Sequence, residues 1–505
     1  MGRNWNQLTA VILKSILIFT AIFATVPVFS LDANEADTNN YQHGQIAPHP
    51  QHPKWLVRWD SLTHNHTQVM VGGPGDPEAF FWKSQRKEMI DRMIEHGGNC
   101  LYLMADASGD TPNASSYVGG NPNNGYDPSA LDEWDALLTH ADTNGIVILL
   151  FFYDDNKNYW GTRTTVHPEE EQNIKQLVER FAHLKNLIWS FAEESNEGGN
   201  DLRAADFANK VRKYDPHDHM MSIHTMHMSD QKYINSAAGI VAQTAALNHF
   251  VVQCNTSVDD DWHKCAVNCF KTFGPKVSIN MGENTAPGRD DVWRKRMWAG
   301  TMGGGAVQMQ LRTDIINAKQ QELVDYRNHN KFFNATDFHL TSPHDELKNG
   351  ATHYTLAGGD SVYIGYNVNA TGDMGFKGMK IPQADNEVWN LTWYNCVTGE
   401  STIQENVTVT GADNTFPLPE GVSGEVALYA RFHYIDPVID HKMVAEPGFQ
   451  LYKKSVLING RAPELDGSDI QIYDIKGKEV KGLSGKTNSF DGLSNGIYFL
   501  KKNSK

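Results

Sequence analysis

A chain of 505 residues exceeds one ordinary domain, so two to four folded units are expected. It carries 60 acidic against 44 basic side chains, for a formal charge of −16. No basic patch offsets that field, which excludes a nucleic-acid partner.

In chain order, residues 1–30 read as a secretory signal peptide. Arg3 and Lys14 precede the apolar run "SILIFTAIFATVPVF", and Val28 and Ser30 are small enough for cleavage after Ser30. The run is short for a membrane span and no later segment qualifies, so no transmembrane segment is expected. Loss of Arg3 and Lys14 with the signal would move the formal charge from −16 to −18. Residues 31–53 are polar, with several Asn, His and Pro, and predict a flexible leader. From 54 to 337 eight short apolar runs ("QVMVGG", "NCLYLM", "GIVILLFFY", "NLIWSFA", "HMMSIHT", "HFVVQC", "KVSINM" and "GAVQMQL") alternate with amphipathic stretches such as "EEEQNIKQLVERFAHLK". That count and length predict an α/β fold, a (β/α)8 TIM barrel. A doubly wound sheet is the alternative, but the glycine-rich "GGPGDPE" at 72–78 is acidic and would repel a phosphate. Residues 338–434 alternate apolar and polar positions between Gly, Asn and Asp turns, predicting an antiparallel β-sandwich. Residues 435–448 read as a linker, and 449–505 as a small all-β C-terminal domain whose strongest strands are "IQIYDIKGKEV" and "LSNGIYFLKK".

Five cysteines, Cys100, Cys254, Cys265, Cys269 and Cys396, are odd in number and lack a paired framework, so they read as structural thiols. Cys265 and Cys269 are four apart on a helix-like stretch, but no second pair lies at zinc-finger spacing. The histidines of "HDHMMSIHTMH" contain no His-Glu-x-x-His signature. Neither a metal nor a cofactor is expected. The "DD" pairs would suit calcium, but a full set of oxygen ligands is not legible.

Barrel enzymes build their sites where the strands end. Glu193, Glu194 and Glu197 follow the fourth apolar run and Glu283 the seventh, while Asp76 and Glu78 follow the first and Asp154 and Asp155 the third. Two carboxyl groups facing across a sugar bond are the minimal machinery of glycoside hydrolysis. Strand alternation puts Leu187, Trp189, Phe191 and Glu193 on one face, and Ile188, Ser190, Ala192 and Glu194 on the other. The bulky set suits the helices, so Glu194 is expected to point into the barrel mouth. Glu197 would be the acid if the strand ended earlier. Glu283 shares the parity of Val277, Ile279 and Met281, and a bulge at Gly282 would be needed to turn it inward. Asp76, Glu78, Asp154 and Asp155 are candidate sugar-hydroxyl ligands or loop braces. His224 has interior parity on strand five. Trp160, Trp262 and Trp298 are candidate stacking platforms, and Arg163, Arg289 and Arg312 could favour an anionic glycan.

The ordered set "GGPGDPEAFFW", "LLFFYDDN", "LIWSFAEESNE", "INMGENTAP" and "RKRMWAGTMGGGAV" resembles a group of secreted bacterial glycoside hydrolases. These have a barrel related to clan A followed by a β-sandwich labelled collagen-binding. The resemblance covers roughly residues 54–434. It implies Glu194 as acid/base and Glu283 as nucleophile, with retention of configuration. The residues' own positions make Glu193, Glu197, Asp76, Glu78, Asp154, Asp155, His224 and Trp298 the expected substrate-binding set. One departure stands out: clan A places Asn before the acid/base, whereas this chain has Glu193, and a carboxylate cannot donate as an amide does. Residues 449–505 resemble the C-terminal sorting domain of the type IX secretion system of the Bacteroidetes. That implies a secreted or cell-surface protein, with the type IX machinery as a partner beside a polysaccharide or oligosaccharide substrate. The competing expectation from another class is a non-catalytic carbohydrate-binding or adhesive protein on the same scaffold, with a polysaccharide lyase as a weaker third.

Overall fold

The computed structural model describes residues 40–434, except 64, 76–85, 106–115, 155–157, 198–199, 257, 284–290, 312–319, 370 and 385, together with three strands between 470 and 502. Expectations that fall on the signal peptide, on Asp76, Glu78, Asp155, Arg289 and Arg312, and on the linker lie outside the described residues. Contacts divide the chain into a unit ending at Tyr434 and a second from Ile435 onward. No described helix is long and apolar enough to cross a membrane.

The chain opens on an antiparallel sheet of β1 (Ile46–Pro48), β2 (Leu56–Asp60) and β3 (Asn65–Gln68). The predicted flexible leader is therefore corrected over 40–53. Ile46 and Ala47 are fully buried, and the Ile46 N–H donates to the Lys185 carbonyl at 2.9 Å. Arg58 reaches Asn186 and, at 2.6 Å, the Gly145 carbonyl. These partners precede barrel strands, so the sheet closes the amino-terminal end of the barrel, away from the rim where sites form. Two apolar residues in a polar stretch carried too little signal to show this.

Eight strands and eight helices then alternate: β4 (Val71–Gly75), α1 (Arg86–His96), β5 (Cys100–Met104), α2 (Pro128–Thr143), β6 (Val147–Tyr153), α3 (Pro168–Phe181), β7 (Leu187–Ala192) and α4 (Ala204–Tyr214); the fifth strand in two pieces, β8 (Met220–Ser222) and β9 (His224–Thr225), then α5 (Gln231–Val241); and β10 (His249–Gln253), α6 (Asp259–Thr272), β11 (Ser278–Gly282), α7 (Val292–Met302), β12 (Gly305–Leu311) and α8 (Gln320–Asn334). All pairings are parallel, β12 returns to β4, and the two halves of strand five pair with opposite neighbours, β8 with β7 and β9 with β10. The barrel thus closes across the break at Ile223.

Local chemistry explains the helices. In α3, Pro168 takes the first position, where its missing N–H costs nothing, and three glutamates occupy the positive first turn. Ile174, Leu177, Val178 and Phe181 form its buried stripe. Glycine in the first strand serves packing: a Cβ on Gly73 would lie 2.2 Å from the Cys100 carbonyl oxygen of the adjacent strand. Strand alternation holds inside β7, where Phe191 packs on Phe207 of α4 at 4.5 Å and Ser190 is buried on the other face.

The unit ends in two antiparallel sheets, as predicted. One has the order β13 (Ser342–Pro343), β15 (Tyr354–Gly358), β16 (Val362–Asn367), β21 (Val426–Tyr434), β18 (Glu387–Asn395) and β19 (Ser401–Val407). The other comprises β14 (Lys348–Gly350), β17 (Met374–Phe376) and β20 (Asn414–Phe416). Trp389, Trp393, Phe376 and Leu428 fill its own core, while Tyr354, Tyr366 and Tyr394 join the barrel's core. In the second unit β22 (Ile470–Asp474) lies between β23 (Glu479–Leu483) and β24 (Tyr498–Lys502), matching the strands expected there.

Burial holds His249 and His329 neutral, with proton affinities lowered to about 3 and about 4. Their folded values lie below the unfolded one, so the unfolded chain binds more protons as pH falls below about 6.5. Stability from each is complete above that pH and declines toward its folded value. Denaturant titrations at pH 7.5, 5.5 and 4.5 should therefore show a steep acid loss. His249→Asn should flatten it by about 1.4 kcal/mol per pH unit.

Candidate active site

Three carboxyl groups gather at the carboxyl ends of the fourth and seventh strands around the Tyr102 hydroxyl. Burial, then the charges of Glu193, Glu283 and Glu194, raise the proton affinity of Tyr102 well above that of an ordinary phenol. It therefore remains a donor, and its O–H donates to Glu193 Oε1 at 2.6 Å.

The parity expectation at β7 is corrected. The strand ends at Ala192, and the Glu193 N–H still donates to the Tyr153 carbonyl at 3.0 Å. Glu194 adopts a left-handed backbone, φ +40°. Alternation lapses there, and Glu193, read as facing the helices, reaches the Tyr102 hydroxyl inside the barrel. Glu193 is buried, Glu194 half-buried and Glu197 exposed in the turn that follows. The turn is pinned to strand five: the Glu194 N–H donates to His224 Nδ1 at 3.2 Å, and the Ser195 N–H and hydroxyl both donate to the His224 carbonyl.

Glu283 is brought inward by its own left-handed backbone, φ +53°, not by a bulge at Gly282. The only register shift between β11 and β12 lies farther back, at Ile279/Asn280. A left-handed conformation costs a residue with a side chain roughly 1–3 kcal/mol, and such strain concentrates at functional sites. Two of the five such residues among those described are Glu194 and Glu283. Gln253 Nε2 donates to Glu283 Oε2, and Glu283 Oε1 lies 3.7 Å from His224 Nε2.

His224 is fully buried, and burial lowers its proton affinity to about 3, so the ring is neutral. Because Nδ1 accepts from the Glu194 N–H, the ring proton sits on Nε2 and faces Glu283. Ligand atoms of Glu193, His224 and Glu283 lie within 4.8 Å of one another, close enough to suggest a divalent metal. A protonated Nε2 is a donor, not a ligand, so the arrangement suits a hydrogen-bonded network better.

Carboxyl oxygens of Glu193 and Glu283 lie within 4.8 Å of one another; burial first, then the Glu283 charge, raises the proton affinity of Glu193 well above the carboxylate range. Asp154, after β6, is buried, and its charge acts on Glu193 in the same direction. Beside Glu283 opens a cavity of about 270 Å³ lined by Gln253, Asn255, Thr256, Trp262 and Arg296. The Trp262 indole N–H has no partner among the described residues, and Arg296 is held by Asp259 at 3.0 Å.

Two sequence expectations fail here. Trp298, read as a stacking platform, is fully buried, stacked on Tyr366 of the sandwich at 5.3 Å and packed against Phe332 and Phe333. The sandwich covers that helix face, so Trp298 cannot reach a sugar. Cys254 and Cys265, read as thiols, form a disulfide with Cα atoms 6.5 Å apart, joining the loop after β10 to α6; Cys100, Cys269 and Cys396 are free and buried. Trp160 is mostly buried, its indole N–H donating to Asn123. Sequence reasoning missed Tyr102, Gln253 and Arg296; Gln253 ends β10 at the rim, where a lone polar group is itself a signal, whereas Tyr102 lies in the middle of the apolar β5.

No family model and no curated protein matches the sequence. Among solved structures, the chain is similar to a glycoside hydrolase at 12% identity (77% of this chain, 97% of the other, TM-score 0.59) and to a family 5 glycoside hydrolase from Bacteroides vulgatus at 13% identity (78% and 93%, TM-score 0.59). The shared share of this chain exceeds the barrel alone, so the likeness takes in the sandwich. At such identities it is a likeness of fold: a (β/α)8 barrel followed by a β-sandwich.

Proposed function

We propose that this protein is a glycoside hydrolase that cleaves a polysaccharide or its oligosaccharides with retention of configuration, Glu194 acting as acid/base and Glu283 as nucleophile. The convergence of carboxyl groups from the fourth and seventh strand ends, each strand followed by a left-handed glutamate, is the observation that carries the reading. Solved structures of the same fold bear the name glycoside hydrolase, which supports it.

Burial helps divide the roles: Glu193 is buried against the Tyr102 hydroxyl, whereas Glu194 is half-buried in the turn that follows. Retaining enzymes hold their two carboxyl groups about 5–5.5 Å apart, with the sugar carbon between them. Glu193, buried and bonded to Tyr102, is read as holding Glu283 in place, and Glu194 takes the part of the second catalytic group. Glu283 attacks the anomeric carbon while the Glu194 carboxylic acid protonates the departing oxygen. Glu194 then takes a proton from the water that releases the sugar. Tyr102, His224 and Gln253 hold Glu193 and Glu283 in place. Asp154, Asp76, Glu78 and Asp155 remain proposed substrate contacts, and residues 1–30 and 449–505 a proposed route to the cell surface through the type IX machinery.

Incubation with a panel of plant and algal glycans, followed by mass and proton-NMR analysis, should reveal shortened saccharides whose first-formed anomer matches the substrate. Binding without product would instead establish the carbohydrate-binding alternative, and an ultraviolet-absorbing unsaturated product a lyase.

A further inference from the structure

Glu193 and Glu283 present a problem that the proposed reaction does not solve. Their carboxyl oxygens approach within 4.8 Å inside the barrel mouth, and no cationic side chain pairs with Glu193 among the described residues. Two buried carboxylates this close repel; the approach becomes favourable when one of them keeps a proton. Surroundings decide which one does. Glu283 accepts from Gln253, faces the N–H of His224 and borders the cavity. Glu193 is only 7% exposed and receives one hydrogen bond, from Tyr102 at 2.6 Å on Oε1. A negative charge is better solvated on Glu283, and a proton is better kept on Glu193.

We infer that Glu193 is a positioning residue that carries a carboxylic-acid proton and donates it in a hydrogen bond to the Glu283 carboxylate. A short chain of donors results: the Tyr102 hydroxyl to Glu193 Oε1, and the Glu193 hydroxyl to Glu283, which also accepts from Gln253. As an acid, Glu193 supplies the donor that a carboxylate could not, so the departure noted in the sequence is chemically conservative at neutral pH. It ceases to be so in alkali, where ionisation replaces that hydrogen bond by repulsion and displaces the nucleophile. The groups facing Glu193 are Tyr102 from β5, Asp154 after β6, His224 from β9, Glu283 after β11 and Glu194 in its own turn. The charges of Asp154 and Glu283 favour retention of the proton, and the Tyr102 hydrogen bond opposes it.

The inference rests on Glu283 being the nucleophile only for its kinetic consequence, so two readouts are needed. The first needs no substrate. The infrared difference between wild type and Glu193→Gln at neutral pH should contain the carbonyl stretch of one protonated carboxyl group. Ionised-carboxylate bands in its place would overturn the inference, and Glu193→Asn provides a second neutral variant should the first fold poorly. The second readout uses a dinitrophenyl glycoside of the sugar that the panel identifies, in a Glu194→Gln background, where the leaving group needs no acid. There kcat/KM should fall on the alkaline side while Glu193 is present and lose that limb with Glu193→Gln. The amide should keep activity within about tenfold near neutrality, whereas Glu193→Ala should lose about 10²-fold or more. Superimposable pH profiles would overturn the positioning role. An active Glu283→Gln would instead overturn the assignment of the nucleophile and leave the infrared result standing.

Discussion

Glu283→Gln is expected to lower turnover of a natural glycan by roughly 10⁴-fold or more, with folding unchanged. Gln keeps the volume of the side chain and still accepts from Gln253, but an amide oxygen is too weak a nucleophile to form the glycosyl ester. Glu194→Gln should cost less, about 10²–10⁴-fold, and the loss should depend on the leaving group. A glycoside whose leaving group departs unaided bypasses the acid, so its first step survives and the covalent intermediate accumulates as a burst. Added azide separates the roles by stereochemistry. With Glu194→Ala, azide attacks the intermediate from the vacated side and gives a product of retained configuration. With Glu283→Ala, azide takes the place of the nucleophile and gives inversion. The same anomer from both variants, or near-wild-type turnover by Glu283→Gln, would dismantle the two-carboxylate assignment.

Much of the fold was legible because it follows from repeated, local signals. The eight apolar runs separated by helical stripes led to the barrel, and the alternating segments after residue 338 led to the sandwich. The site was legible by position, and less so by direction. Period-two alternation holds while the backbone is extended, but it loses its meaning at Glu194 and Glu283, where the chain turns left-handed. No residue type marks such a turn when a glutamate occupies it, and so the inward aim of Glu193 could not be foreseen. Trp298 failed for a different reason. Its helix is buried nearly all round because the sandwich covers the face that a barrel alone would expose. The Cys254–Cys265 pair lies 11 residues apart across a loop and a helix turn, and only the fold brings the two within bonding distance.

That covering face rests on a buried ionic triad. Arg294 of α7 donates to Glu425 through Nε at 3.0 Å and Nη2 at 2.6 Å, and to Asp325 of α8 at 3.1 Å; the Tyr366 hydroxyl also donates to Glu425, at 3.2 Å. One guanidinium thus serves two carboxylates, and burial, only partly offset by Arg294, raises the proton affinity of Asp325 to about 6. Arg294→Met should destabilise the full-length chain by about 3–5 kcal/mol near pH 8, because it leaves two buried carboxylates without their counter-ion. The sign of its pH dependence follows. Without Arg294 both carboxyl groups bind protons more tightly folded than unfolded, so the variant regains stability relative to wild type as pH falls from 8 toward 5. Urea midpoints for both proteins across that range measure the effect. Adding Asp325→Asn and Glu425→Gln to Arg294→Met should restore most of the loss at pH 8, since an uncharged cluster has no burial of charge to offset. A deficit independent of pH, or unchanged in the triple variant, would mean that the cost of losing Arg294 is packing around its aliphatic stem and not the stranded charge.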